Sequence, residues 1–316
     1  MAENLLYGHT RKNNQNRIEK LSIISKALWR SKTSYIFITP YMLIFITFTV
    51  LPVLISIFFS FTDFNLLEIP KFIGVDNYKR LFLKDTIFPI AFKNTLIFSS
   101  IVGPLSYMAC LLLAWVINDF KPVLRAFLTT LFYAPTLANI YFVWQLIFSS
   151  DSYGILNAYL MKIGILLEPI QWLTDKKYIV PVVLIIILWG SLGASFLIFI
   201  AGFQTVDRSL YEAGAVDGIK NRWQELWFIT LPYMRPQLML GAILSISTSF
   251  GIGSTITMLT GFPSTDYVAH TIMHMIDDYG GIRFEMGYAC SIATILFVMM
   301  VSANKFIQFL LSKVGD

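Results

Sequence analysis

Apolar residues fall along this chain in six long runs, Tyr35–Phe61, Thr95–Ile117, Ala126–Phe148, Ile179–Phe203, Gln237–Thr260 and Met286–Ile307, separated by shorter polar stretches. Each run is long enough to cross about 30 Å of hydrocarbon as a helix. None has the short alternating pattern of a barrel strand. The pattern predicts an all-α integral membrane protein with six transmembrane helices.

The polar stretches set an orientation. Residues 1–34 form a basic tail with Arg11, Lys12, Arg17, Lys20, Lys26, Arg30 and Lys32. Lys121 and Arg125 lie between the second and third runs, and Arg208, Lys220, Arg222 and Arg235 lie near the ends of the fourth and fifth. Basic residues near span ends stay on the cytoplasmic side, so these stretches and both termini are expected inside. The remaining loops, Thr62–Asn94, Ser149–Tyr178 and Gly261–Glu285, carry fewer Lys and Arg for their length and more acids, among them Asp76, Asp151, Asp266, Asp277 and Asp278. The first run is too long for a signal-peptide core and no small-residue cleavage pattern follows it, so it is expected to remain as an anchor.

Composition agrees: 56% of residues are hydrophobic and 14% charged, with a mean hydropathy of +0.66. The net charge of +5 then reports topology and not a nucleic-acid footprint. Cys110 and Cys290 both fall inside apolar runs, where packing is the expected role and neither a disulfide nor a metal site is.

What the runs omit narrows function further. The only Asp, Glu, Lys, Arg or His inside them is Lys305, near an end where it can snorkel. Proton- and ion-driven carriers, voltage sensors and intramembrane proteases need ionisable or metal-binding groups at depth. A P-loop needs Gly-Lys, and that dipeptide is absent. If transport here uses ATP, another subunit binds it, and this chain needs a handle on which that subunit can push.

The segment LYEAGAVDGIKNRWQELWFITLP, residues 210–232, is the candidate handle. Asp207 or Ser209 can cap a helix through Leu210, Tyr211, Glu212, Ala213, Gly214, Ala215 and Val216, and Gly218 after Asp217 can end it at positive φ. A second helix near Asn221–Thr230 places Trp223, Leu226 and Trp227 on one stripe suited to the membrane interface, with Pro232 ending it. Two short helices joined at a glycine make an angled bracket. On these grounds alone it is equally well an interfacial loop packed on its own bundle.

The segment resembles the EAA motif of permease subunits of ATP-binding-cassette importers: Glu-Ala-Ala, three residues, Gly, usually nine residues, then Ile-x-Leu-Pro. Glu212, Ala213, Gly218, Ile229, Leu231 and Pro232 fill that pattern, and Asp217 stands where the sugar branch commonly has Asp. Gly214 replaces the second Ala, which keeps the side chain small, so Gly214→Ala is expected to be nearly silent. Ten residues, not nine, separate Gly218 from Ile229. The stretches LPVLISIFFSFTDFN, FIGVDNYKRLF, FKNTLIF and YGILNAYLMKIGI with IQWL are similar, in order, to the carbohydrate branch related to the maltose and glycerol-phosphate systems.

That resemblance implies a type I importer permease fold over residues 35–316, with a cytoplasmic coupling loop at about 204–235. Residues 210–218 would seat in a cytoplasmic ATPase, with Glu212 facing a basic group there. It implies a second homologous permease, two ATPase subunits holding ATP and Mg, and an extracellular or periplasmic solute-binding protein. The chain itself would carry no cofactor, would not be an enzyme and would lie among the lipids of a bacterial or archaeal cell membrane.

A sugar path needs aromatic faces and neutral hydrogen-bonding groups. Tyr133, Asn139, Tyr141, Trp144 and Gln145 in the third run qualify, as do Ser245, Ser247, Thr248, Ser249 and Thr255 in the fifth and Tyr288, Ser291 and Thr294 in the sixth. Helix packing explains each singly as well or better. The stretch SFGIGSTITMLTGFP, residues 249–263, can break or closely pack the fifth helix. His270 and His274, one turn apart near Asp277 and Asp278, suggest the rival reading of a membrane-embedded or membrane-surface enzyme, with no zincin glutamate between the histidines. A helix in that loop, capped by Ser264 or Thr265, would instead meet the binding protein.

Overall fold

A computed structural model of the chain describes residues 32–137 and 141–312. Asn139 and nearly all of the basic tail therefore lie outside the described residues. The chain divides into two compact units, Met1–Ser56 and Ile57–Asp316.

All the regular structure among the described residues is helical, apart from an isolated bridge between Thr62 and Phe72. The first expected span is α1, Tyr35–Phe59. It contains a π-turn at Ile46–Val50, directly ahead of Leu51 and Pro52. A proline ring collides with the carbonyl four residues back and has no N–H to donate, and a widened turn relieves both problems.

The body begins with α2, Asp76–Leu83, and α3, Phe88–Asn118, which runs the length of the second expected span and starts seven residues before it. The third run forms α4, Pro122–Leu137, and α5, Tyr141–Ile147, on either side of residues 138–140. After α6, Ile155–Lys162, the fourth run is bent: α7, Lys176–Gly190, and α8, Ala194–Thr205, meet at 41°. Next come α9, Arg208–Val216, and α10, Arg222–Glu225. The fifth run is α11, Arg235–Phe250, and α12, Gly253–Thr260, meeting at 43°. The short α13, Ile272–Ile276, precedes α14, Met286–Ser312.

α3 is the central post, packed along α7, α8 and α11, and α11 also packs on α14. Small residues let these helices close in. A Cβ on Gly241 of α11 would stand 2.4 Å from the Phe199 ring of α8, so glycine is required where the two cross. At the end of the body that carries α9 and α10, Ile117, Phe196, Phe199, Phe203, Leu226 and Met234 share one buried cluster. Two further clusters, around Phe98, Ile186 and Ile256 and around Phe88, Ile272 and Ile292, fill the rest.

Three buried or half-buried amides stitch the loops at the opposite end. Asn77 donates to Ser60 O and Thr62 O, at 2.9 and 2.8 Å. Asn94 donates to Tyr267 O and His270 O. Asn157 reaches the carbonyls of Ser149, Asp151 and Ile170 and accepts from Trp172 Nε1 at 2.8 Å. Each amide meets several backbone groups at once, which fixes a loop with little secondary structure of its own.

Candidate functional site

The expected bracket forms, with one change of geometry. Asp207 caps α9 by accepting from Ser209 N at 2.9 Å, and this contact holds its carboxyl below the usual carboxylate range. Gly218 sits at φ +94, as a helix-ending glycine must to be free of strain. Asn221 caps the second helix through Gln224 N.

From Leu226 to Thr230 the second helix becomes a π-turn, and it then continues through Leu231–Tyr233 toward α11. This helix ends at Tyr233, one residue past Pro232, and the π-turn lies directly ahead of the proline, as another does ahead of Pro52 in α1. A π-turn holds one more residue than an α-turn, and this one contains Ile229. The expected stripe is also split by this turn. Leu226 is buried in the core cluster, whereas Trp223, Trp227 and Phe228 are exposed.

The bracket is braced from three sides. Tyr211 Oη lies 2.9 Å from Thr230 Oγ1, and Thr230 Oγ1 in turn donates to Glu225 O inside the π-turn at 3.1 Å. Ile229 packs on Gly214: a Cβ there would be 2.6 Å from Ile229 Cδ1 and 3.1 Å from Ile219 Cδ1. Both atoms are the far ends of flexible side chains, so the methyl of Gly214→Ala needs only a small rotation of Ile229. Arg222 pairs with Asp119 at the end of α3 and stands 5.0 Å from the Trp115 ring, which meets Trp223 at 4.6 Å.

Braced on one side, α9 is bare on the others. Only Gly214 is buried and only Tyr211 half-buried; Arg208, Ser209, Leu210, Glu212, Ala213, Ala215, Val216, Asp217 and Gly218 are all exposed. Val216 is 87% exposed. Glu212 approaches Arg208 one turn back at 3.6 Å, an exposed pair that contributes little to stability.

The pathway candidates separate by burial. Ser245 donates to Ser195 Oγ, Ser249 faces Gly103 and donates to Ile246 O, and Ser291 donates to Tyr288 O; all three are buried, and Ser245 and Ser249 line a cavity between α3, α11 and α14. Tyr288 is also interior, at 3% exposure, donating to Asp85 Oδ2 at 2.8 Å beneath the Arg80 guanidinium. Tyr279 donates to the same oxygen, and Arg80 pairs with Glu285. Burial works against the Asp85 charge, but the Tyr288 hydroxyl, the amides of Phe88 and Ile87 and the Tyr279 hydroxyl outweigh it and hold the carboxyl below its usual range. Thr294 donates to Cys290 O, an ordinary intrahelical contact.

Trp144 meets Trp189 edge-on at 5.1 Å and stacks on Phe148, and Tyr141 approaches Gly190. Tyr133 is half-buried on α4. Gln145 donates to Met258 O on α12. Ser247 and Thr255 stay half-exposed, and Thr248, Gly251 and Ser254 are fully exposed around the α11–α12 bend. Gly251 and Ser254 belong to the Gly- and Ser-rich stretch, but nothing in the sequence distinguishes them from their buried neighbours.

The histidines do not build a catalytic group. Ser264 stands at the N-cap of a single 3-10 turn, Thr265–Tyr267, without a side-chain capping bond; Thr271 caps α13, and His274 completes its capping box, with Nδ1 accepting from Thr271 N at 3.0 Å. His270 stacks on His274 at 5.0 Å and against Tyr267 edge-on. Burial lowers both to about 4. Asp278 pairs with Arg283. Among the described residues no three His, Cys, Asp or Glu converge as metal ligands.

No family model matches the chain. It is 30% identical over 273 residues to the Bacillus subtilis protein named Probable ABC transporter permease protein YesP, covering 84% of this chain and 86% of that one. It is 27% identical to the lactose transport system permease protein LacF of Rhizobium radiobacter over 87% of this chain and 92% of that one. It is 26% identical to the arabinooligosaccharides transport system permease protein AraP of B. subtilis over 84% of each. Among solved structures it superposes with TM-score 0.71 and 24% identity on a chain of a bacterial ABC transporter involved in the import of the acidic polysaccharide alginate, over 93% of this chain and 99% of that one. A second structure of an alginate ABC transporter, in complex with an alginate pentasaccharide-bound periplasmic protein, matches with TM-score 0.70 and 26% identity over 92% of this chain and 99% of that one.

Proposed function

Since the chain belongs to the permease subunits of ABC transporters, we propose that it lines part of the path of an oligosaccharide or related polyol, and that residues 210–218 couple that path to ATP hydrolysis on a separate subunit. The observation that carries the second half is α9 itself, held on one side by Tyr211 and Gly214 and bare elsewhere. A nine-residue helix with so little of its own surface covered has no packing role to account for it. Small side chains at Ala213 and Ala215 and one acid at Glu212 suit a close, charge-complementary seat on a partner. ATP and Mg would be held by that partner. A second permease and a solute-binding protein would complete the assembly, with α9 and both termini in the cytoplasm.

The path would run past the α11–α12 bend. Ser247, Thr248, Gly251, Ser254 and Thr255 present a polar strip there within an otherwise apolar span, and Gly251 leaves its backbone exposed. Irregular backbone and hydroxyls at membrane depth are tolerated where they face protein or a water-filled cavity, and disfavoured against lipid. The lactose and oligosaccharide transport named for the relatives supports a carbohydrate as the cargo.

The test is uptake and ATPase retention in the reconstituted transporter. Glu212→Ala should remove a contact whose loss at a buried interface costs about 2–5 kcal/mol, and Gly218→Val should strain φ +94. Both should abolish uptake and weaken co-purification of the ATPase while the membrane body still folds. Normal uptake in both variants would return α9 to the status of a surface loop. Cysteines at Ser150 and Asn221 check the orientation: an impermeant thiol reagent should reach the first from outside and the second only from inside.

A further inference from the structure

The bracket holds one polar contact that its surroundings make unusual. Thr230 is 3% exposed, yet its hydroxyl joins two elements: it donates to Glu225 O within the π-turn and meets Tyr211 Oη at 2.9 Å on α9. A π-turn misaligns the regular hydrogen bonds of a helix, and Thr230 supplies a bond to a carbonyl of that turn. The same oxygen accepts from Tyr211, since its own proton is committed to Glu225. The two bonds therefore have a fixed direction, running from Tyr211 through Thr230 to Glu225.

We propose that Thr230 is a positioning residue for coupling: its hydroxyl sets the angle between α9 and the body, so that a push on α9 moves the braced unit and does not merely bend it at Gly218. This rests on α9 being the joint to the ATPase. The reason is mechanical. Gly218 has open space around it and a backbone most residues avoid, and the linker is tied to each helix separately, by Ile219 N donating to Gly214 O and Lys220 N donating to Gln224 Oε1. Beyond the Gly214–Ile229 contact, which is apolar and can slide, the Tyr211–Thr230 hydrogen bond is the directional tie from α9 to the rest of the bracket. From there stiffness is carried onward by buried Leu226 in the core cluster and by the Arg222–Asp119 pair at the end of α3.

The experiment uses the complete transporter in proteoliposomes and reads sugar taken up per ATP hydrolysed, together with ATPase co-purification. Thr230→Val keeps shape but removes the hydroxyl, and Tyr211→Phe removes only its donor. Each should lower uptake per ATP on the order of three- to tenfold, the range one such hydrogen bond commands, with the ATPase retained. Thr230→Ser should stay near the wild type, and the Tyr211→Phe/Thr230→Val pair should be no worse than Thr230→Val alone, because both remove one interaction. Full coupling in Thr230→Val, or losses that multiply in the pair, would overturn the proposal. If Glu212→Ala leaves uptake intact, the joint itself has been misplaced. If Glu212→Ala uncouples while Thr230→Val does not, only the role of Thr230 fails.

Discussion

Arg222, in the second helix of the bracket, forms an ion pair with Asp119, one residue past the end of α3. The two are separated by more than a hundred positions and six helices of the chain. Their pairing joins the exposed segment to the post on which α7, α8 and α11 all pack. If α9 is the joint to the ATPase, this pair is a route by which its displacement would reach α3.

Reversing that pair separates stability from coupling. Both side chains are about half exposed, so Arg222→Glu should cost no more than about 1 kcal/mol of stability. Uptake should nonetheless fall severalfold, and adding Asp119→Arg should restore it. Thermal unfolding of the purified assembly and uptake in proteoliposomes check the two halves independently.

Gly214 and Ile229 make an atom-specific prediction. The methyl added by Gly214→Ala meets Ile229 Cδ1 at 2.6 Å, the far end of a flexible side chain. Gly214→Ala needs only a rotation of that end and should stay near the wild type in a proteoliposome uptake assay, whereas the larger Gly214→Leu should impair uptake and weaken the α9 brace.

Tyr288 should prove to be a structural residue. Tyr288→Phe leaves Asp85 Oδ2 without its shortest hydrogen bond, a loss worth about 1–3 kcal/mol at a buried site. The unfolding temperature should drop while the ranking of competing sugars in an uptake assay stays as in the wild type. A changed ranking would put Tyr288 in the path after all.

Acid should loosen the loop end of the molecule. His270 and His274 are held at about 4 by burial, against 6.5 when free. Between those values the unfolded chain binds more protons than the folded one, so stability contributed by the neutral rings is present above about 6.5 and is lost as pH falls toward 4. Asp85, whose carboxyl is lowered, acts in the same direction but only below its free value of 3.8. Melting curves from pH 7.5 to 5.0 should show the decline, and His270→Gln should flatten it.

Much of this was written in the sequence because its causes are local. Among the described residues three of the six apolar runs form single helices long enough to cross a membrane and the other three form bent pairs, since a backbone in hydrocarbon must satisfy its own hydrogen bonds within each helix. Asp207 and Gly218 bound α9 through contacts only a few residues long. Tertiary structure decided what depended on distant neighbours. Ser249 and Thr248 are adjacent and chemically alike, and only the approach of Gly103 buries one and leaves the other exposed. His274 looks like half a metal site until Thr271 claims its ring nitrogen. Pro232 reads as a helix stop and the helix does end one residue past it, but the π-turn ahead of the proline, beside the core that holds Leu226 and Met234, is not legible in the spacing. Hydrogen bonds within a turn can be read from spacing; the depth at which a side chain ends up, and what it meets there, is set by residues a hundred positions away.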